Sequence, residues 1–266
     1  MGWWSVLGAE TVWLAVAMSA AWAVQRATRN CGWVDAIWSG ATALGGAVGA
    51  LMPAGGAAGP RAWLAAAMVG VWGARLAWHI ARRTPGAPED PRYAGFRREW
   101  GAAFEPRLFG LLMVQAAAAW VLVASVVISA RNPAPLRPAD FGGALLLAGA
   151  LWGEATADAQ LRRFRAARRG PICDTGLWAW SRHPNYFFEF LAWCAYPVLA
   201  IDWPSYPAGV LALAAPALMF VLLRYVSGVP PLEAAMLASR GDTFRAYQAR
   251  VSIFFLRPPV KEAVLF

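Results

Sequence analysis

Seven apolar runs, each near the length of a membrane-crossing helix, set the first limit on what this chain can fold into. They lie at about residues 6–24, 34–52, 61–81, 108–130, 141–157, 183–203 and 207–227. A helix needs about 20 mostly apolar residues to cross hydrocarbon, because each residue advances it only about 1.5 Å. Composition agrees with this reading. Only 15% of the 266 residues are charged and 59% are hydrophobic, whereas a soluble domain carries about 25% charged residues. A large soluble helical protein would need a charged stripe on most of its helices, and several of these runs have none. The expected fold class is all-α: a polytopic membrane protein of about seven transmembrane helices. The fifth run is the weakest, since it ends in the polar stretch from Glu154 to Asp158.

The connections carry the remaining signals. Gly- and Pro-rich breaks at 53–60 and 131–138 read as turns. Trp3, Trp4, Trp33, Trp100 and Trp203 fall near run ends, where an aromatic belt meets the membrane surface. Arginine and lysine are divided one-sidedly. The first, third and fifth connections and the tail hold twenty of the 24, whereas the second, fourth and sixth hold only Arg61, Arg131 and Arg137. Basic residues stay on the cytoplasmic side, so this alternation predicts an N-terminus outside and a C-terminus in the cytoplasm. The net charge of +9 is thereby explained without nucleic acid, because the arginines sit between apolar runs and form no single basic face. Glu10 interrupts the first run and no basic stretch precedes it, so a cleaved signal is not expected. Cys31, Cys173 and Cys194 have neither paired nor metal-ligand spacing, which predicts buried thiols and no metal.

Polar chemistry concentrates late in the chain. Asp158, Gln160, Arg162, Phe164 and Arg165 form one block, followed by Ser181-Arg-His-Pro-Asn-Tyr-Phe-Phe-Glu189 at the mouth of the sixth run. Polar groups are costly in hydrocarbon, so such a cluster at a span's edge is expected to face a cavity. Pro184 suits the first turn of a helix. From there Tyr186, Glu189 and Trp193 share one helical face. A solvated basic loop ahead of a helix accounts for Arg168 and Arg169. It accounts less well for Arg182 to Glu189, which combine anion donors with an acid pointing back into the span.

The 181–189 stretch resembles the C-terminal signature of the steroid 5α-reductase family. The 158–165 block before it, Arg224 at the end of the next run, and Tyr247-Gln-Ala-Arg250 leading to Phe254 keep that family's order. The resemblance is strong over about 150–266, weaker over 30–83 and negligible before that. It implies hydride transfer from NADPH to an enone, the 4,5 double bond of a 3-oxo-4-ene steroid or a similar lipophilic molecule. It also implies seven membrane helices in a bacterial inner membrane, with the cofactor entering from the cytoplasm. The chain would be one membrane-embedded domain, with substrate-pocket spans in 1–130 and the NADPH part in 141–266. The residues implied around the dinucleotide are Asp158, Arg165, Arg182, His183, Asn185, Tyr186, Glu189 and Arg224, joined by Arg83, Arg162 and Tyr247. Arginine forks suit a phosphate-bearing cofactor. No Gly-x-Gly-x-x-Gly turn is present to supply a Rossmann site.

Reducing an enone also needs a group that polarises the ketone. The family uses a carboxylate near the start of the second span and a tyrosine on the third. Asp35 stands at the first place, with no basic neighbour in the chain closer than Arg29, and burial there would favour its proton-donating form. A helix-start cap fits Asp35 equally well. Trp72 stands where the tyrosine is expected, and Arg75 or His79 could take over its part. A second reading is a membrane methyltransferase of the isoprenylcysteine or phospholipid type, using S-adenosylmethionine. Such enzymes share an Arg-His-Pro-x-Tyr signature and a downstream acid, for which Glu233 qualifies.

Overall fold

A computed structural model of the chain describes residues 2–52, 57–87 and 89–260. Among these the secondary structure is helical, without a strand. The helices are α1 (Trp3–Thr28), α2 (Gly32–Leu51), α3 (Pro60–Arg83), α4 (Pro91–Trp100), α5 (Phe104–Ala130), α6 (Pro138–Ala166), α7 (Pro184–Trp193), α8 (Ala195–Ala200), α9 (Ala214–Val221) and α10 (Val229–Arg250). Five stretches are long and apolar enough to cross a membrane: Trp3–Thr28, Gly32–Leu51, Pro60–Arg83, Arg92–Ala130 and Pro207–Arg250. The chain is an integral membrane protein of the helical kind. Exposed apolar side chains such as Val16, Val71, Val114 and Leu145 suit lipid contact.

The expected runs at 141–157 and 183–203 are not among those five. The first lies inside α6, whose later turns carry Glu154, Asp158 and Arg162. The second divides at Cys194 into α7 and α8. Pro197 explains the division: it has no N–H for the Trp193 carbonyl, four residues back. The last stretch is also irregular, with a 3₁₀ segment at Pro207–Leu213 and a π-helical turn at Leu222–Val226. Beyond that turn α10 carries Glu233, Arg240, Asp242, Arg245 and Arg250 and bends at Gly241, so its polar length lies outside the apolar span. Of the expected turn at 53–60, residues 53–56 lie outside the described residues; the 131–138 break is irregular, and Pro138 opens α6.

The chain forms two compact units, residues 1–144 with 195–215 and residues 145–194 with 216–266. In the first, Leu14, Met18, Leu108, Leu112, Val123 and Val127 build a core between α1, α2 and α5. Gly73 on α3 lets that helix press onto Ala43 and the Ser39 carbonyl of α2, where any side chain would clash. Indole N–H groups tie the helices together through the second lone pair of backbone carbonyls. Trp13 donates to Ala41, Trp22 to Glu105, Trp38 to Gln115 and Trp120 to Leu7, at 2.9–3.1 Å. Each such bond contributes about 1 kcal/mol. At one end of the unit Arg61 makes a two-pronged pair with Asp140 at 2.8 and 2.7 Å and also donates to the carbonyls of Asn132, Ala134 and Pro135. Asn132 in turn donates to the Leu199 and Ala200 carbonyls, the unpaired end of α8.

In the second unit α6 and α7 meet where Gly153 leaves room for the Phe188 ring. Phe187, Phe190 and Phe220 surround Phe254, which is 1% exposed.

Candidate functional site

The 181–189 stretch is locked in place before α7 begins. Gly176 holds φ +62°, and a side chain there would strike the Gln160 amide, whose Oε1 accepts from the Leu177 N–H at 2.9 Å. Trp178 donates to the Ala157 carbonyl at 2.9 Å. The C-terminal segment then fastens the signature: Arg182 N–H donates to Ser252 O (2.8 Å), Arg257 N–H to Trp180 O (3.0 Å) and Ser181 Oγ to Phe254 O (2.8 Å). Pro184 opens α7, as its position predicts.

Within this frame Arg182, His183 and Glu233 form a buried cluster. Arg182 donates through Nε to Glu233 Oε1 at 2.7 Å and through Nη2 to Oε2 at 3.3 Å. Its Nη1 reaches the Gln248 and Val251 carbonyls at 3.0 and 2.7 Å. Arg182 therefore spends four of its five donors inside the protein. His183 Nε2 lies 2.9 Å from Glu233 Oε1, and Gln248 Nε2 donates to Oε2 at 2.7 Å. Burial pushes the Glu233 carboxyl up, but the hydrogen bonds from His183 and Arg182 and the Arg182 charge outweigh it and hold the group at about 2. Burial, with Arg182 and Arg224 nearby, lowers His183 despite Glu233. The consistent state is an ionised Glu233, with a neutral His183 donating its Nε2–H to it.

The other expected cofactor residues of this unit divide into two groups. Tyr186 stacks on His183 at 5.5 Å, and Arg224 lies in the π-helical turn, its guanidinium 4.7 Å from the Tyr225 ring centre. Such turns recur at functional sites. Arg162 and Arg165 are exposed at the end of α6, and Asp158 and Asn185 are half-buried. Arg162, Arg165 and Arg224 make no ion pair among the described residues. Two residues are engaged inward instead. Tyr247, 2% exposed, donates to Trp178 O at 2.6 Å, and Glu189, 7% exposed, accepts from Trp193 Nε1 at 3.1 Å.

The first unit holds Asp35, Trp72, Arg75 and Arg83. Asp35 is neither isolated nor a helix cap. Arg92 Nη2 donates to its Oδ2 at 2.8 Å and the Tyr93 hydroxyl to its Oδ1 at 3.2 Å; the cap position of α2 belongs to Cys31. Arg29 is the nearest base along the chain, but in space α4 brings Arg92 to Asp35 from 57 residues further on. Asp90 caps α4 by accepting from the Arg92 N–H, and its side chain also holds the Arg92 guanidinium. Gln115 donates to the Tyr93 oxygen at 3.4 Å. Trp72 is buried edge-on against Trp38, and Arg75, half-buried, lies three residues along the same helix. Arg83 is exposed, and its charge helps Arg92 hold Asp90 below the usual carboxylate range against burial.

Sequence reasoning missed Arg92, Tyr93 and Gln248. The Asp90-Pro91 pair is a helix-start signal that could have placed Arg92 and Tyr93 in a first turn; nothing in the sequence marks Gln248. Comparison with known proteins finds no match among curated proteins or solved structures. Residues 21–251 match the profile of the family described as "Protein of unknown function (DUF1295)". That span covers most of the chain, which therefore belongs to the DUF1295 family.

Proposed function

We propose that the chain is an NADPH-dependent reductase of a lipophilic enone, such as a 3-oxo-4-ene steroid, in a bacterial inner membrane. The DUF1295 family is associated with steroid 5α-reductase-like membrane proteins, which supports the class. One observation carries the reading furthest. The unit that holds the buried signature also presents Arg162, Arg165 and Arg224 without acid partners among the described residues, a donor set that fits a cofactor with several phosphate charges. In this reading those arginines hold the phosphates, while Arg182 and Glu233 keep His183, Tyr186 and Asn185 in position. The topology has seven spans, counting α6 and the α7–α8 pair, with the N-terminus outside and the C-terminus cytoplasmic.

Bound NADPH would supply hydride to the β-carbon of the enone. The chain's own contribution is at the carbonyl. Asp35 accepts from both Arg92 and Tyr93, so the O–H available to a ketone oxygen is that of Tyr93 rather than an Asp35 proton. Tyr93 turns this bond from Asp35 Oδ1 to the carbonyl as negative charge builds there. Asp35 and Gln115 hold the phenol in place, and Trp38 and Trp72 form an apolar wall.

Thermal unfolding of the purified protein against cofactor concentration tests the proposal. A ligand bound only by the folded state raises its stability by about 2.7 kcal/mol at a hundredfold excess over Kd. Stabilisation by NADPH is the expected result. Stabilisation by S-adenosylmethionine alone would replace the reductase with a methyltransferase.

A further inference from the structure

One carboxyl of the first unit takes no part in this chemistry. Glu10 is the eighth residue of α1, about 10 Å along the helix from Trp3. It is only 4% exposed, and its Oε2 has no hydrogen-bond partner among the described residues. It points at Gly45 and Gly49 of α2, one turn apart. A methyl group added at Gly45 would meet Glu10 Oε2 at 2.5 Å, and one at Gly49 would meet Oε1 at 3.1 Å. Val6 of α1 and Val127 of α5 close the slot at Gly49, and Trp13 flanks it at Gly45 with its own N–H already given to Ala41. The two glycines thus make room for a carboxyl, and among the described residues no donor to Oε2 comes with the room.

Among the described residues, no charged group on the neighbouring helices bonds Glu10 Oε2. On α2 the charged residue is Asp35, about 15 Å along the helix from Gly45 and held by Arg92. On α5 Glu105 binds Gln25 and Arg107 is exposed, about 30 Å along the helix from Val127. Arg131, just past the end of α5, lies over the Trp3 ring, about 10 Å along α1 from Glu10, and donates to Met52 O through Nη2, while its Nε and Nη1 have no hydrogen-bond partner among the described residues. An isolated carboxylate in such a layer is strongly disfavoured, so the group keeps its proton.

We propose that Glu10 is a proton-binding and modification site inside the membrane, open to lipophilic carbodiimides that arrive through the bilayer. In the reaction the acid proton passes to one carbodiimide nitrogen and the carboxyl oxygen bonds the central carbon. The resulting O-acylisourea rearranges to a stable N-acylurea; nothing is oxidised and nothing leaves. The exposed edge of Trp13, three residues along the same helix and 37% accessible, marks the approach from the lipid side.

The test treats the intact protein in bilayers with dicyclohexylcarbodiimide and maps the adduct by peptide mass spectrometry. The expected result is an adduct on the first-span peptide, lost in Glu10→Gln, which keeps the side chain's shape. A water-soluble carbodiimide should leave Glu10 unmodified. No adduct on folded wild-type protein, an adduct that survives Glu10→Gln, or equal labelling by the water-soluble reagent would each overturn the proposal.

Discussion

Arg182 and Glu233, 51 residues apart in sequence, meet as a two-pronged ion pair at 2.7 and 3.3 Å, with side chains only 9% and 10% exposed. Removing one partner of such a pair leaves a buried charge and costs about 3–5 kcal/mol, whereas replacing both by apolar residues is often neutral. Arg182→Ala and Glu233→Ala should each lower the unfolding midpoint sharply. The Arg182→Met/Glu233→Met double variant should recover only part of the loss, because His183 and Gln248 are left without their shared acceptor. Single variants with unchanged midpoints would show that the pair contributes no more than a surface contact.

The same cluster predicts acid sensitivity. Glu233 is held at about 2 against an ordinary 4.5, so its contribution is present above 4.5 and fades as pH falls toward 2. His183 is lowered from 6.5, so its neutral form also favours folding above 6.5, and that contribution fades as pH falls below it. Both signs agree. Stability measured in detergent should decline from about pH 6.5 downward, and Glu233→Gln should flatten the part below 4.5. A wild-type profile flat from 7 to 3 would contradict the ionised Glu233.

Arg165 and Arg224 should matter to the cofactor and not to the fold. Replacing either with Ala should weaken NADPH by about 1.5–3 kcal/mol, the scale of a hydrogen bond to a charged group, and should reduce the salt dependence of binding. Arg165 is exposed and Arg224 half-buried, so unfolding midpoints without cofactor should move little. Unchanged affinity in both variants would remove them from the site.

The sequence is most legible where one local rule decides the outcome. Apolar length places α1, α2, α3 and α5, and Pro184 marks the start of α7. Legibility ends where two distant segments must meet. Asp35 reads as isolated because its partners Arg92 and Tyr93 arrive through the short α4, and spacing along the chain carries no trace of that return. Arg182 reads as a free phosphate donor because Glu233, Gln248 and Val251, which take up its donors, are all more than 50 residues away. The break at Cys194 was within reach, since Pro197 announces it. The π-helical turn around Arg224 has no comparable signal.

Topology provides an independent check. The arginine alternation predicts a cytoplasmic reporter at the C-terminus and an external one at the N-terminus. Reporters on the same side would reduce the spans to an even number. The α7–α8 pair, broken at Cys194, would then be the first to be reassigned as a re-entrant segment.

Tyr93 carries the most specific prediction. It is 2% exposed, donates to Asp35 and accepts from Gln115, so its ring is fixed and its O–H is the hydroxyl proton held at this position. Tyr93→Phe keeps the ring, and its packing against Phe96 at 6.2 Å, and removes only the hydroxyl. Turnover of a 4-ene-3-oxosteroid should fall by about 10²-fold or more, the low end for a positioned acid. Asp35→Asn retains an acceptor for the phenol and should lose less. Asp35→Ala frees both Tyr93 and Arg92 and should approach the Tyr93→Phe loss. NADPH affinity should be unchanged in all three, because none of these residues is among the arginines proposed to hold it. The order of the losses separates the roles. If Asp35 were the proton donor, Asp35→Asn would be as damaged as Asp35→Ala, and Tyr93→Phe would be spared.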